Sequence, residues 1–361
     1  MRKRKIIPIW VKLSLIILFL STIVYYIAIK KPLVADFVNN TVSVGMRIAA
    51  SYVTYLLPFS LFEILIVLLP LIIVVLLVFF IKASGGVQTR MRAVFSLLGV
   101  VSVIITMYIY MLGIGYRTTP MSVKLNIENP SDISAEELYR TTVTVRDELN
   151  LLADQVRFEN DSTVMPYSLD TLNQKIVEAY DSMNEEYDLV TNFKSRAKPI
   201  YFSTVMSDLR IVGIYSFFTG ESNVNMEYPD YNLPYTVAHE LAHQRGICRE
   251  NEANFAAFLV CIASDDVYIR YSGYLNLYEY LSSALYRTDI ELYKEVRAGL
   301  SEIAKLDMAA SNAVYEAHKD SFLGEINDRL NDTYLKANGT QGTVTYGYVV
   351  RLAVGYYRDK N

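Results

Sequence analysis

Two of the three histidines in this chain stand four residues apart, in the segment His239-Glu240-Leu241-Ala242-His243. On a helix that spacing leaves the two rings about 40° apart around the axis, projecting from one face. Two neutral imidazoles held this way can occupy two corners of a tetrahedral Zn²⁺ site. Glu240 follows His239 by about 100° of rotation, close enough to take a proton from a water at the metal without being a ligand. Val237, Ala238, Leu241 and Ala242 surround the trio with apolar side chains. That setting suits a buried active-site helix better than a solvated one carrying incidental histidines.

A third ligand is needed. Gly246 is placed to end the helix and let the chain reverse. The next helix opens with Glu250-Asn251-Glu252-Ala253-Asn254-Phe255. A carboxylate on a helix returning beside the first can reach the metal. Glu252 is followed by Phe255, Ala256 and Leu259 at i+3, i+4 and i+7, which sets it on the apolar face and makes it the expected ligand. Glu250 is the alternative ligand, a partner for a ligating histidine, or an acid interacting with the helix dipole.

These residues carry a resemblance. His239 to His243 followed by Glu252-Ala253-Asn254-x-Ala256 resembles the gluzincin pattern of metallopeptidases, and the Glu-Ala-Asn element is similar to that of the ImmA/IrrE-type enzymes. Over a longer stretch the chain looks like an uncharacterised bacterial family of three-pass membrane proteins with an outer zincin-like domain. The residues that carry this are Gly213-Ile214-Tyr215, Thr219-Gly220-Glu221, Asn223-Val224-Asn225, Leu233-Pro234, His239 to Gly246, Glu250 to Phe255 and Tyr271-Ser272-Gly273-Tyr274. The resemblance implies a zincin-like fold and a metal; it implies no substrate.

Other residues could join such a site. In zincin folds the strand before the metal helix lines the cleft and takes substrate as an added strand. Gly213 and Tyr215 are the corresponding candidates here, with Glu221, Asn223 and Asn225 as rim contacts; the competing expectation is an ordinary core strand. Tyr215, Tyr271, Tyr274 and Tyr346 are candidate hydrogen-bond donors to an oxyanion. His318, between Ala317 and Lys319, reads as a surface residue, with a third-ligand role as its alternative. Cys248 is close enough in sequence to be a soft ligand. Together with Cys261 it is too small a set for a disulfide framework.

The elements that must hold this site follow from the pattern. Ser134-Ala135-Glu136-Glu137 is a capping box opening a helix to about residue 157. A second helix covers about 169–187. Strands are expected at 199–203 and 213–218, the latter turning through Thr219-Gly220-Glu221 into 222–226 as a hairpin. Helices then follow at about 235–246, 250–264, 267–287, 289–305 and 307–330, with a final one at about 346–357. The expected fold is α+β, a mainly helical zincin-like domain with a small sheet, behind three N-terminal transmembrane helices.

Apolar residues make up 52% of the 361, and three long apolar runs account for the excess. They lie at about 13–29, 61–81 and 93–116, each near the roughly 17–25 residues needed to cross a bilayer. Residues 1–116 form the membrane anchor and 117–361 the other domain. Charge divides likewise: the first part has 11 Lys/Arg against 2 Asp/Glu, the second 23 against 36. The acidic second part argues against a nucleic-acid partner. Basic residues concentrate before the first run and between the second and third, which predicts a cytoplasmic N-terminus and an extracytoplasmic 117–361 in a multi-pass protein of the cell membrane. The expectation is a membrane-anchored zinc-dependent metallopeptidase, or a related amidase, cleaving a peptide or cell-envelope substrate. The alternative is a non-catalytic protein whose metal stabilises a binding domain.

Overall fold

The computed structural model describes residues 6–82, 86–128, 130 and 132–358. The chain is mainly helical with two small sheets, and it divides into two compact units. Thr119–Tyr215 and Ser222–Asn361 make one; Met1–Thr118 makes the other, together with the short segment Ser216–Glu221.

The N-terminal unit contains three helices long and apolar enough to cross a membrane, Ile9–Lys30, Leu61–Val78 and Gly86–Gly113. They belong to α1 (Ile9–Lys30), α4 (Leu61–Lys82) and α5 (Gly86–Tyr108), the last continuing through a π-helical turn at Ile109–Gly113. Between the first two, where the sequence suggests only a loop, α2 (Pro32–Val38) and α3 (Val44–Tyr55) flank a second π-turn at Asn39–Ser43. α1 and α5 pack closely. A Cβ on Gly99 would stand 2.5 Å from the Trp10 ring, and the Ser102 hydroxyl donates to Ser14 at 2.8 Å. None of the residues in the apolar window of α4 is buried. Arg47, fully buried, donates through Nη2 to the Asn39 carbonyl and to its side-chain oxygen, both at 3.0 Å.

The second unit begins with α6 (Met121–Lys124) and α7 (Ala135–Ala153). Ser134 and Glu137 form the expected capping box at the start of α7. That helix ends earlier than the sequence suggests, because β1 (Phe158–Glu159) and β2 (Ser162–Thr163) turn back through Asn160 and Asp161. Both turn residues have positive φ, a conformation that Asn and Asp tolerate best after Gly. α8 (Leu169–Tyr187), β3 (Ala197–Pro199) and α9 (Ser203–Asp208) lead to β4 (Gly213–Ser216) and β5 (Glu221–Val224). The sheet order is β3-β5-β4, with β3 and β5 parallel, so β4 is an edge.

α10 (Asn232–Arg245), α11 (Glu250–Ile262) and α12 (Val267–Thr288) form the centre of this unit. Gly246, at φ 99°, ends α10 in the left-handed conformation that its missing Cβ permits. Tyr180, Val237, Leu241, Phe255, Phe258, Leu275 and Leu281 are among the fully buried residues of its core. Beyond lie α13 (Ile290–Ala298), α14 (Glu302–His318), α15 (Phe322–Ala337), a 3₁₀ segment (Gly342–Tyr348) and α16 (Val349–Arg358). The helix expected at 289–305 is broken at Gly299–Ser301 by Asn150, whose side chain donates to the Gly299 carbonyl and accepts from the Ser301 N–H.

Candidate metal centre

His239 and His243 lie on α10 and Glu250 begins α11, on the other side of the Gly246 turn. Their ligand atoms converge. Glu250 Oε2 is 3.4 Å from His239 Nε2 and 3.6 Å from His243 Nε2. Each residue offers one atom to a common point, all within 4.8 Å of one another. A tetrahedral site with bonds of roughly 2.0–2.1 Å has ligand-to-ligand edges of about 3.3–3.4 Å, close to both edges that Glu250 makes with the histidines.

The expected third ligand was Glu252, and here the structure differs. Glu252 pairs with Arg249, 2.8 Å from Nη1, and accepts the Met121 backbone N–H at 2.9 Å. The reason lies in the burial of α11. Residues 252–261 are all buried, so the apolar stripe beyond Glu252 marks a core-facing side but not the side that meets α10. Glu250, two positions earlier, points to the histidines.

The surroundings fix these groups further. The His243 Nδ1 stands 2.8 Å from the Ile247 carbonyl; donating its proton there leaves Nε2 free as a ligand. The Asn254 side chain, one turn after Glu250, interacts with His239. Burial works against a cation on His243, but Glu250 and Glu240 outweigh it and push its pKa up to about 9. Burial likewise opposes ionisation of Glu250, yet the two histidines hold it well below the usual carboxylate range.

Glu240 sits beside this set without belonging to it. Burial raises its pKa to about 8, opposed by His243 and by a hydrogen bond from the Tyr215 backbone N–H. One carboxylate oxygen, Oε2, is buried without a hydrogen-bond partner among the described residues. Its backbone carbonyl accepts the Ser222 hydroxyl at 2.9 Å. Gly213 makes room for it, since a Cβ there would stand 2.5 Å from Oε1 and 2.7 Å from Thr236 Cγ2. β4 therefore contacts Glu240 through Gly213 and the Tyr215 N–H.

The remaining candidates lie elsewhere. Glu221, expected at a cleft rim, is 2% exposed and caps α4, accepting the backbone N–H groups of Leu61 at 3.0 Å and Phe62 at 2.8 Å. Asn223 and Asn225 are buried braces: Asn223 donates to the Ile214 carbonyl, and Asn225 to Ser207 and the Ile211 carbonyl. Tyr271 donates to the fully buried Asp307, and Tyr274 stacks on Phe258. The Tyr346 side chain lies outside the described residues. His318 bridges Asp208 and Glu227 with its two ring nitrogens, away from the cluster. Cys248 and Cys261 are both buried and outside the cluster. Sequence reasoning missed Tyr280, whose ionisation is disfavoured by burial and then by Glu279 and Glu250.

No curated protein and no solved structure matches the chain. A family model does, over residues 38–354, and with most of the sequence inside that match the chain belongs to DUF3810, a family described as proteins of unknown function.

Proposed function

We propose that this is a membrane-anchored metallohydrolase acting on peptide or amide bonds, with His239, His243 and Glu250 holding a divalent cation, best Zn²⁺. The observation that carries the reading is the convergence of two Nε2 atoms and one carboxylate oxygen, with a second, buried carboxylate beside them that has an oxygen to spare. A bound ion would supply Lewis acidity toward a carbonyl and lower the pKa of a water. Glu240 is the general base in this reading. Its raised pKa suits a group that takes a proton and returns it to a leaving amine near neutral pH. The Tyr215 N–H holds its carboxylate, Gly213 leaves room for it, and Ile247 orients His243. Tyr280, whose ionisation Glu250 opposes, is the candidate donor to a developing oxyanion.

The non-catalytic alternative draws less support. A purely structural zinc usually has four protein ligands. Among the described residues three converge, and neither Cys248 nor His318 belongs to the set. The N-terminal unit serves as the anchor, in contact with lipid. With Arg47 buried and bonded to carbonyl oxygens, one of the cations diluting the charge bias is not available to lipid headgroups. The bias then favours a cytoplasmic N-terminus and an extracytoplasmic second unit more strongly, where peptides of the cell envelope are the available substrates.

The test is hydrolysis of a peptide library by the purified full-length chain, with and without zinc. Wild type should cleave only when loaded. Glu240→Gln should keep the metal and lose at least ~100-fold in rate, the scale of general-base removal. Full activity in Glu240→Gln would refute the reading.

A further inference from the structure

We infer that residues 32–56 lie within the membrane, as an in-plane helix whose apolar face meets lipid acyl chains; this rests on the membrane crossing of the three apolar helices and not on the metal centre. α2, its π-turn and α3 follow one another without a break from Pro32 to Tyr55, and the junction residues Asn39 and Val44 are themselves helical. Burial along this helix runs opposite to that of a helix on a water-facing surface. Arg47, Ser51 and Thr54 are buried, while Tyr52, Val53 and Leu56 are exposed. At 100° per residue the first three fall within about 60° of one another, and the second three centre on the opposite side. Upstream, Asn39 and Ser43 are also buried, and Leu33, Phe37 and Val42 exposed. Leu33 and Leu56 are each 80% exposed. Side chains turned outward in this way suit hydrocarbon and not water. The polar side is satisfied by protein, as membrane depth requires: Arg47 gives Nη2 to both oxygens of Asn39.

The helix is long enough to cross, but the packing of its neighbours rules that out. α1 and α5 run parallel. Trp10 lies against Gly99, Ser14 accepts from Ser102, and Tyr25 accepts from Arg117 at 3.0 Å. Two parallel spans need an odd number of crossings between them, and α4 supplies one. A second crossing by residues 32–56 would set α1 and α5 antiparallel. The segment therefore enters and leaves on the side where α1 ends. Its tethers are short. Lys31 alone separates α1 from α2, and residues 57–60 separate it from α4; at roughly 3.3–3.6 Å per residue neither lets it leave the surface. Lys30 and Lys31 are exposed at the first junction, where long cationic side chains reach headgroups while the apolar face lies deeper. The buried polar row lowers the mean hydropathy of the segment, which is why the sequence suggests a loop there.

The experiment attaches a nitroxide to the full-length chain in lipid nanodiscs. It reads collisions with oxygen, which partitions into hydrocarbon, against collisions with a water-soluble nickel chelate. Leu33→Cys, Phe37→Cys, Val42→Cys, Val53→Cys and Leu56→Cys are the test sites. Val74→Cys, in the exposed apolar window of α4, is the lipid reference, and Glu136→Cys, at an exposed side chain of α7, the water reference. The wild-type chain corrects for label on the buried Cys248 and Cys261. Every test site should exceed Glu136→Cys several-fold in the ratio of oxygen to nickel collisions. Each should fall short of Val74→Cys, because an in-plane helix sinks its apolar face only ~5–10 Å into the boundary of headgroups and chains. A ratio equal to that of the water reference would overturn the inference. So would exclusion of both reagents, the sign of a protein surface over this face, or a ratio at Val42→Cys as high as that at Val74→Cys, the sign of a crossing. The unsubstituted chain gives a second measurement: a phospholipid with a photoreactive diazirine on its upper acyl chain should leave adducts in residues 32–56 as well as in the three spans. Adducts confined to the spans would overturn the inference. A water-like ratio at Val74→Cys would count against the membrane anchor itself, and the inference would fall with it.

Discussion

Replacing Glu250 and Glu252 one at a time separates two roles that the sequence assigns the other way round. Glu250→Ala removes one of three converging ligand atoms. Zinc sites in small peptides contribute roughly 10–16 kcal/mol over four ligands, so one ligand accounts for about 2.5–4 kcal/mol. At 1.4 kcal/mol per decade that predicts zinc binding weaker by ~10²–10³-fold. Glu252→Ala leaves the cluster intact and breaks the pair with Arg249 and the bond from the Met121 N–H. An unsatisfied buried donor costs about 1–3 kcal/mol, so this variant should lose stability and keep its metal. The assay is competition for zinc against a chromophoric chelator, followed by thermal unfolding with and without the ion. Zinc at about 100 times its Kd should stabilise wild type and Glu252→Ala by about 2.7 kcal/mol, and Glu250→Ala scarcely at all. Weak zinc binding by Glu252→Ala with normal binding by Glu250→Ala would refute the ligand assignment.

Gly213→Ala places a methyl group against Glu240 and Thr236; it should cost ~1–3 kcal/mol in overpacking and lower hydrolysis while zinc stays bound, as elemental analysis and denaturant melts would show. Burial raises the pKa of Glu279 to about 7, and Tyr231 donates to it at 3.0 Å. A raised carboxyl pKa makes ionisation a cost to the fold that is absent below about pH 4.5, grows through pH 7 and is complete above it. Glu279→Gln should therefore be stabilising by ~1–3 kcal/mol at pH 8 and near neutral at pH 4.5, and a pH-independent difference in urea melts would contradict this. A reporter fused after residue 361 should be active only outside the cytoplasm, and cytoplasmic activity would reverse the proposed orientation.

Much of the site was legible because its signals are local. The spacing of His239, Glu240 and His243, the Gly246 stop and the Ser134 capping box each depend on a few consecutive residues, and the structure bears out the helix ends they imply. The three apolar helices were legible from length and composition alone. What escaped depends on three-dimensional neighbours. The choice between Glu250 and Glu252 turns on which side of a helix buried all round meets α10. Glu221 looked like a rim residue because turn residues are usually solvated; the adjacent Phe217 and Phe218 were the sign of a loop that packs. The break between α13 and α14 is made by Asn150, far away in sequence.

The isolation of α4 has a consequence for how this protein tolerates change. Its apolar window has no buried residue, so within a bilayer those side chains answer to hydrocarbon alone. Saturation mutagenesis of that stretch should reproduce a partition scale: Leu, Ile, Val and Phe interchangeable, charges rejected in proportion to depth. α1 and α5 should behave otherwise, because the Gly99–Trp10 approach and the Ser102–Ser14 bond set shape requirements that no apolar residue can meet at random. Only the first turn of α4, gripped by Glu221, should share that intolerance. Where they meet, α1 and α5 should therefore accept few substitutions, and the middle of α4 many.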